Sequence, residues 1–84
     1  PAASYLAALG ALLFEQGRMD EAFEALQQAY KGTRDPLLED HCVAYLALVT
    51  RALGRTDDHA RFARELTRRG THEHLRRRLA DGSV

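Results

Sequence analysis

The chain is short of nearly everything that marks an enzyme, a secreted scaffold or a membrane protein. Cys42 is its only cysteine, so an intrachain disulfide and a cysteine-rich metal site are excluded. A lone cysteine of this kind reads as a small buried apolar residue. Proline occurs twice, and β-branched residues are few, so little interrupts a helix. No apolar run approaches the ~18 residues of a membrane span. The opening stretch, "PAASYLAALGALLF", lacks the basic leader of a signal peptide. A cytoplasmic protein is the expectation, and Pro1 with its bare apolar edge reads as a segment of a longer chain. Net charge is zero, which argues against a uniformly basic nucleic-acid binder. No glycine-rich phosphate loop and no Gly-x-Ser-x-Gly occurs.

What the 84 residues do contain is helix. Apolar residues make up 45% and charged residues 29%, as in a globular domain. Ala, Leu, Arg and Glu are good helix formers, and the predicted fold is all-α. Tyr5, Leu6, Leu9, Leu12 and Leu13 recur at spacings of three and four, one apolar stripe that ends at Gly17. A second helix starts near Met19-Asp20-Glu21, carries Ala22, Phe23, Leu26, Ala29 and Tyr30, and ends at Lys31-Gly32. A third opens with Asp35 as N-cap and Pro36 at the first helical position. Its apolar positions are Leu37, Leu38, Val43, Leu46, Val49, Ala52 and Leu53, up to Gly54. The fourth opens at Thr56-Asp57, which read as its capping pair, carries Ala60, Phe62, Ala63 and Leu66, and stops at Gly70. Thr71 caps a short fifth helix with Leu75 and Leu79. Connections of two to four residues make consecutive helices antiparallel neighbours.

Charge is split along the chain. Residues 1–50 hold three basic against seven acidic side chains, and residues 51–84 nine arginines against five acids. Such polarity orients a partner or a neighbouring copy. The acid pairs Glu39-Asp40 and Asp57-Asp58 read as first-turn residues that favour the helix dipole. Arg64, Arg68 and Arg69, with Arg76, Arg77 and Arg78, read as a solvated end. Arg76–Arg78 are also a candidate contact for an acidic partner. No aromatic residue interleaves these arginines to stack on bases, so nucleic acid is not the expected partner. His72 and His74 point about 200° apart on a helix and cannot chelate together. His41 and His59 have no ligand spacing. No metal, no cofactor and no catalytic residue is expected.

The two hairpins resemble each other. Leu6, Leu9, Gly10, Leu13 and Gly17 answer to Val43, Leu46, Ala47, Thr50 and Gly54, a shift of 37 residues. "FEQGRMDEA" answers to "RALGRTDDHA" with one extra residue before the alanine, which leaves His59 and Ala60 as rivals for one small position. A helix–turn–helix at a fixed period is the sign of an α-solenoid. With Leu6, Leu9-Gly10 and Leu13 in its first helix and Ala22, Leu26 and Ala29 in its second, the first unit resembles a tetratricopeptide repeat (TPR). It departs at Leu6, where an aromatic is usual, and at Pro36, which falls late. The second unit departs at Thr50, where a large residue is usual. The resemblance implies one repeat at about 3–33, another at about 36–69 and a capping helix at about 71–80.

It also implies a non-enzymatic protein–protein interaction module, an adaptor, scaffold or chaperone-like holder, that buries an apolar helix or extended segment of a partner. The partner would be another protein or a second copy of the chain. In that family the first helix of each hairpin lines the concave side. The residues so placed are Ala7, Ala11, Phe14, Glu15, His41, Ala44, Tyr45, Leu48 and Arg51. At helical spacing Phe14 and Tyr45 are more often core than anchors. The alternative function is an oligomerisation or regulatory segment of a signalling or transcription protein.

Overall fold

In the computed structural model, which describes residues 2–69, four helices follow one another. They are α1 (Ala2–Glu15), α2 (Met19–Gly32), α3 (Pro36–Ala52) and α4 (Thr56–Arg69). No strand occurs among the described residues, and the fold is all-α. The expected fifth helix, its cap Thr71 and Arg76–Arg78 lie outside the described residues.

Gly17 and Gly54 make the two tight turns, with φ of +78° and +74°. Only glycine holds this conformation without strain. The backbone pairing around them is the same. Gly17 N–H donates to Phe14 O at 3.0 Å and Arg18 N–H to Leu13 O at 2.9 Å. Gly54 N–H donates to Arg51 O at 3.1 Å and Arg55 N–H to Thr50 O at 2.9 Å. Both turns are Schellman closures that satisfy the last carbonyls of a helix. The next helix then starts alike, since Ala22 N–H donates to Arg18 O and His59 N–H to Arg55 O. The shift of 37 therefore runs through the turn without an inserted residue. His59 takes the place of Ala22, and Ala60 that of Phe23. Thr56 is the first helical residue, not the cap, since Arg55 O accepts the first bond.

The linker between hairpins turns into α3 at Asp35, whose Oδ1 accepts from Leu37 N–H at 3.1 Å. Pro36 follows at the first helical position, as expected. α3 is the central element and packs on α1, α2 and α4, whereas α1 and α4 have no close backbone approach. Its residues Cys42, Val43, Ala44, Leu46, Ala47, Leu48, Val49 and Thr50 are all fully buried. Thr50 hides its hydroxyl by donating to Leu46 O at 2.7 Å and Ala47 O at 3.2 Å.

Three large apolar residues expected to face inward do not, and neither does Ala52. Tyr5 is 67% exposed, Leu12 54% and Leu37 73%. α1 buries Ala7, Gly10, Leu13 and Phe14, and the 100° step between residues turns Tyr5 and Leu12 away from that face. Leu37 and Leu38 are consecutive, so one face cannot take both. Leu38 packs against the core and Leu37 does not.

Candidate functional site

The expected concave residues do run together along α1 and α3, but mostly as a packed seam. Ala7, Phe14, Ala44 and Leu48 are buried and offer no surface of their own. Ala11, His41, Tyr45 and Arg51 are half-buried, and only Glu15 is exposed. Small side chains on these helices let them approach, and the rings interlock. Phe14 meets Tyr45 edge-on at 5.6 Å with an interplanar angle of 77°, a favourable geometry for ring quadrupoles. His41 lies 4.9 Å from Tyr45 one turn earlier.

The open part of this side is its N-terminal end. Ser4, Ala7 and Ala8 of α1 face Asp35, Leu37, Leu38 and His41 across a groove of about 510 Å³. Asp35 and Leu37 were not expected as site residues. The adjacent leucines after Pro36 were the available signal, since one must point outward. The walls are apolar with a carboxylate at one end.

A second groove, about 330 Å³, separates α2 from α4 and is lined by Gln27, Tyr30, Lys31, Arg61, Phe62 and Glu65. Beside it Arg69, with a side chain only 16% exposed, joins α4 to α3. Its Nη1 donates to Asp40 Oδ1 at 2.8 Å, Nη2 to Glu39 Oε1 at 3.5 Å and Nε to Glu65 Oε2 at 2.9 Å. Burial alone would lower the pKa of this guanidinium. Hydrogen bonds to Asp40 and Tyr30, with the nearby Glu65 charge, outweigh it and raise the pKa. Asp40 and Arg69 are thus not a first-turn acid and a solvated cation. They are one pair, a half-buried arginine on a buried carboxylate, 29 residues apart in sequence. Arg64 and Arg68 are exposed, and Arg68 pairs with Glu65.

Compared with family models, curated proteins and solved structures, the chain matches none.

Cys42 is buried, and burial first, then the charge of Glu39, pushes its thiol up to about 11. It stays protonated and unreactive near neutral pH. No three His, Cys, Asp or Glu side chains among the described residues converge as a metal site requires. No described helix is long and apolar enough to cross a membrane.

Proposed function

We propose that this chain is a non-enzymatic protein-interaction module of tetratricopeptide type, which takes an apolar segment of another protein into the groove between the start of α1 and the start of α3. The observation that carries this reading is Leu37. A leucine 73% exposed stands on the rim of a groove otherwise walled by alanines, Leu38 and the His41 ring. Exposed large apolar side chains beside a concave apolar wall mark binding surfaces. The groove is wide and shallow, which suits a helix face or an extended strand of apolar side chains. Asp35 at its end favours a segment with a basic residue next to the apolar ones.

The shared 37-residue register of the two turns supports the repeat architecture. Membership in the tetratricopeptide family, the adaptor or chaperone-like role and a cytoplasmic setting belong to this proposal.

The test is a selection of displayed apolar peptides on the wild-type chain, followed by binding to Leu37→Glu. Leu37 is exposed, so this variant keeps its fold. Selected peptides bind the wild type at least about tenfold more tightly, a difference of about 1.4 kcal/mol. Equal binding to both proteins would remove the site from this groove.

A further inference from the structure

A third groove, of about 420 Å³, runs between α1 and α2. Among the described residues its lining comes from those two helices. The floor is apolar: Leu6, Leu9 and Leu13 of α1 with Ala25 of α2. Leu13 and Ala25 are buried, and Leu6 and Leu9 are half-buried, so the floor packs on the core below and is open above. The rim is acidic, with Asp20, Glu21 and Glu24 of α2 all exposed. The groove between α1 and α3 shares none of these residues.

An internal precedent gives the shape of the occupant. In the 37-residue register Leu6, Leu9 and Leu13 correspond to Val43, Leu46 and Thr50, which are fully buried. Glu24, Ala25 and Gln28 correspond to Arg61, Phe62 and Glu65. Over that second site lies a helix. α2 packs on α3, and its Gln27, Tyr30 and Lys31 face Arg61, Phe62 and Glu65. The same backbone groove is filled by a helix on one hairpin and open on the other. Ala25, where α4 has Phe62, leaves more room at its floor.

A second difference between the hairpins gives the charge of the occupant. In α4 Arg61 pairs with Asp58 at 3.3 Å, and Arg55 joins them at 2.8 Å. In α2 the residue that matches Arg61 is Glu24. Glu21 has Arg18, but Asp20 and Glu24 pair with no cation among the described residues. They stand four apart on one helix, where like charges repel. The helix dipole favours Asp20 and Glu21 in the first turn, and Glu24 lies beyond its reach.

We propose that this groove takes an amphipathic helix of another protein, with apolar side chains on Leu6, Leu9 and Leu13 and a lysine or arginine on Asp20 and Glu24. The apolar stripe supplies affinity, and the acidic rim rejects helices of the opposite charge pattern. The α2 wall from Asp20 to Gln28 is about 12 Å long, so about two turns of the partner are held. Binding is therefore weak, and salt weakens it further.

The test adds a synthetic helical peptide of about 16 residues to the full chain. The peptide carries leucines at i, i+3, i+4 and i+7 with lysines beside them. One control peptide has glutamates for the lysines, and another has serines for the leucines. Amide chemical shifts of the protein are followed by NMR up to about 1 mM peptide. The lysine peptide moves the amides of Leu6, Leu9, Leu13 and Ala25, and each control binds at least about tenfold more weakly. Glu24→Lys weakens the lysine peptide at least about tenfold. Glu24 is exposed, and circular dichroism confirms the fold of that variant. Leu37→Glu, which disables the other groove, leaves this binding unchanged, so the two readings fail separately. No shift at the highest peptide concentration overturns the proposal. So does indifference to Glu24→Lys, or a serine peptide that binds as well as the leucine one. Shifts confined to Ser4, Leu37 and His41 overturn it in favour of the other groove. Shifts at Leu6 and Leu9 that grow with protein concentration, without peptide, overturn it in favour of a second copy.

Discussion

In the first hairpin α1 and α2 meet at Gly10, where an added Cβ would lie 2.5 Å from Leu26 Cγ and 3.3 Å from Leu26 N. In the second, the equivalent residue of α3 is Ala47, and α4 reaches it through His59. The His59 Nδ1 stands 2.8 Å from the Ala47 carbonyl oxygen. That oxygen can only accept, so the proton sits on Nδ1. Elsewhere the contrast repeats. α2 buries Ala22, Phe23, Ala25, Leu26 and Ala29, whereas α4 buries only Phe62 and Leu66. α4 is held instead by the Arg69 network, and the turn before it by Arg55, whose guanidinium lies 4.2 Å over the Phe23 ring. One backbone plan is closed by close apolar packing at one end and by polar clips over a small apolar contact at the other. A helix too polar to dock by burial docks where each clip finds a specific partner.

The largest effect should come from cutting the strongest clip. Arg69→Met leaves Asp40, 6% exposed, without its cation, and should destabilise the fold by about 3 kcal/mol. Urea denaturation measures it, and a loss under about 1 kcal/mol would show that the clip does not hold α4. Next comes an exchange at equivalent positions. Gly10→Ala should cost about 2 kcal/mol, because buried Leu26 must move. Ala47→Gly should cost about 1 kcal/mol, mainly through helix propensity. Equal costs would mean that the hairpins close alike. A smaller contrast lies between the turn arginines. Arg55→Ala should cost about 1 kcal/mol through the lost ring contact. Arg18→Ala loses an exposed pair with Glu21 and a long bond to Gln16, as Arg55 would lose its pair with Asp58, but no ring contact, and should cost under about 0.5 kcal/mol.

The smallest effect is acid sensitivity. The hydrogen bond from Arg68, against a lesser opposing effect of burial, and the charges of Arg68 and Arg69 hold the Glu65 carboxyl below its ordinary value. A depressed carboxylate adds stability that is complete above its unfolded pKa, about 4.3, and fades as pH falls through the folded value. The protection of α4 amides against exchange, relative to their intrinsic rate, should therefore fall below about pH 4.3 in the wild type. Glu65→Gln should lose that part of the pH dependence, and an unchanged profile would assign it to other groups.

Helices and turns were legible because their signals are local. Gly17 and Gly54 need a positive φ, and Asp35-Pro36 is a cap and a first-turn residue in either context. The candidate site was legible only in part. Ser4, Ala8 and His41 follow from helix periodicity, but Leu37 does not, since periodicity alone leaves two adjacent leucines equivalent. Phe14 read as wall or, more readily, as core, and its burial against Tyr45 makes it core. The Asp40–Arg69 pair has no local signature at all.

Composition and spacing by themselves determined an all-α chain, two hairpins with glycine turns and a 37-residue internal correspondence. These depend on interactions within a few residues, where backbone sterics and helix period leave little choice. Only the tertiary structure decided which apolar stripe of α1 turns inward, that His59 and not Ala60 takes the small position, and that Arg69 pairs with buried Asp40. Each is a contest between surfaces distant in sequence. The winner is set by which close approach the whole assembly of helices permits.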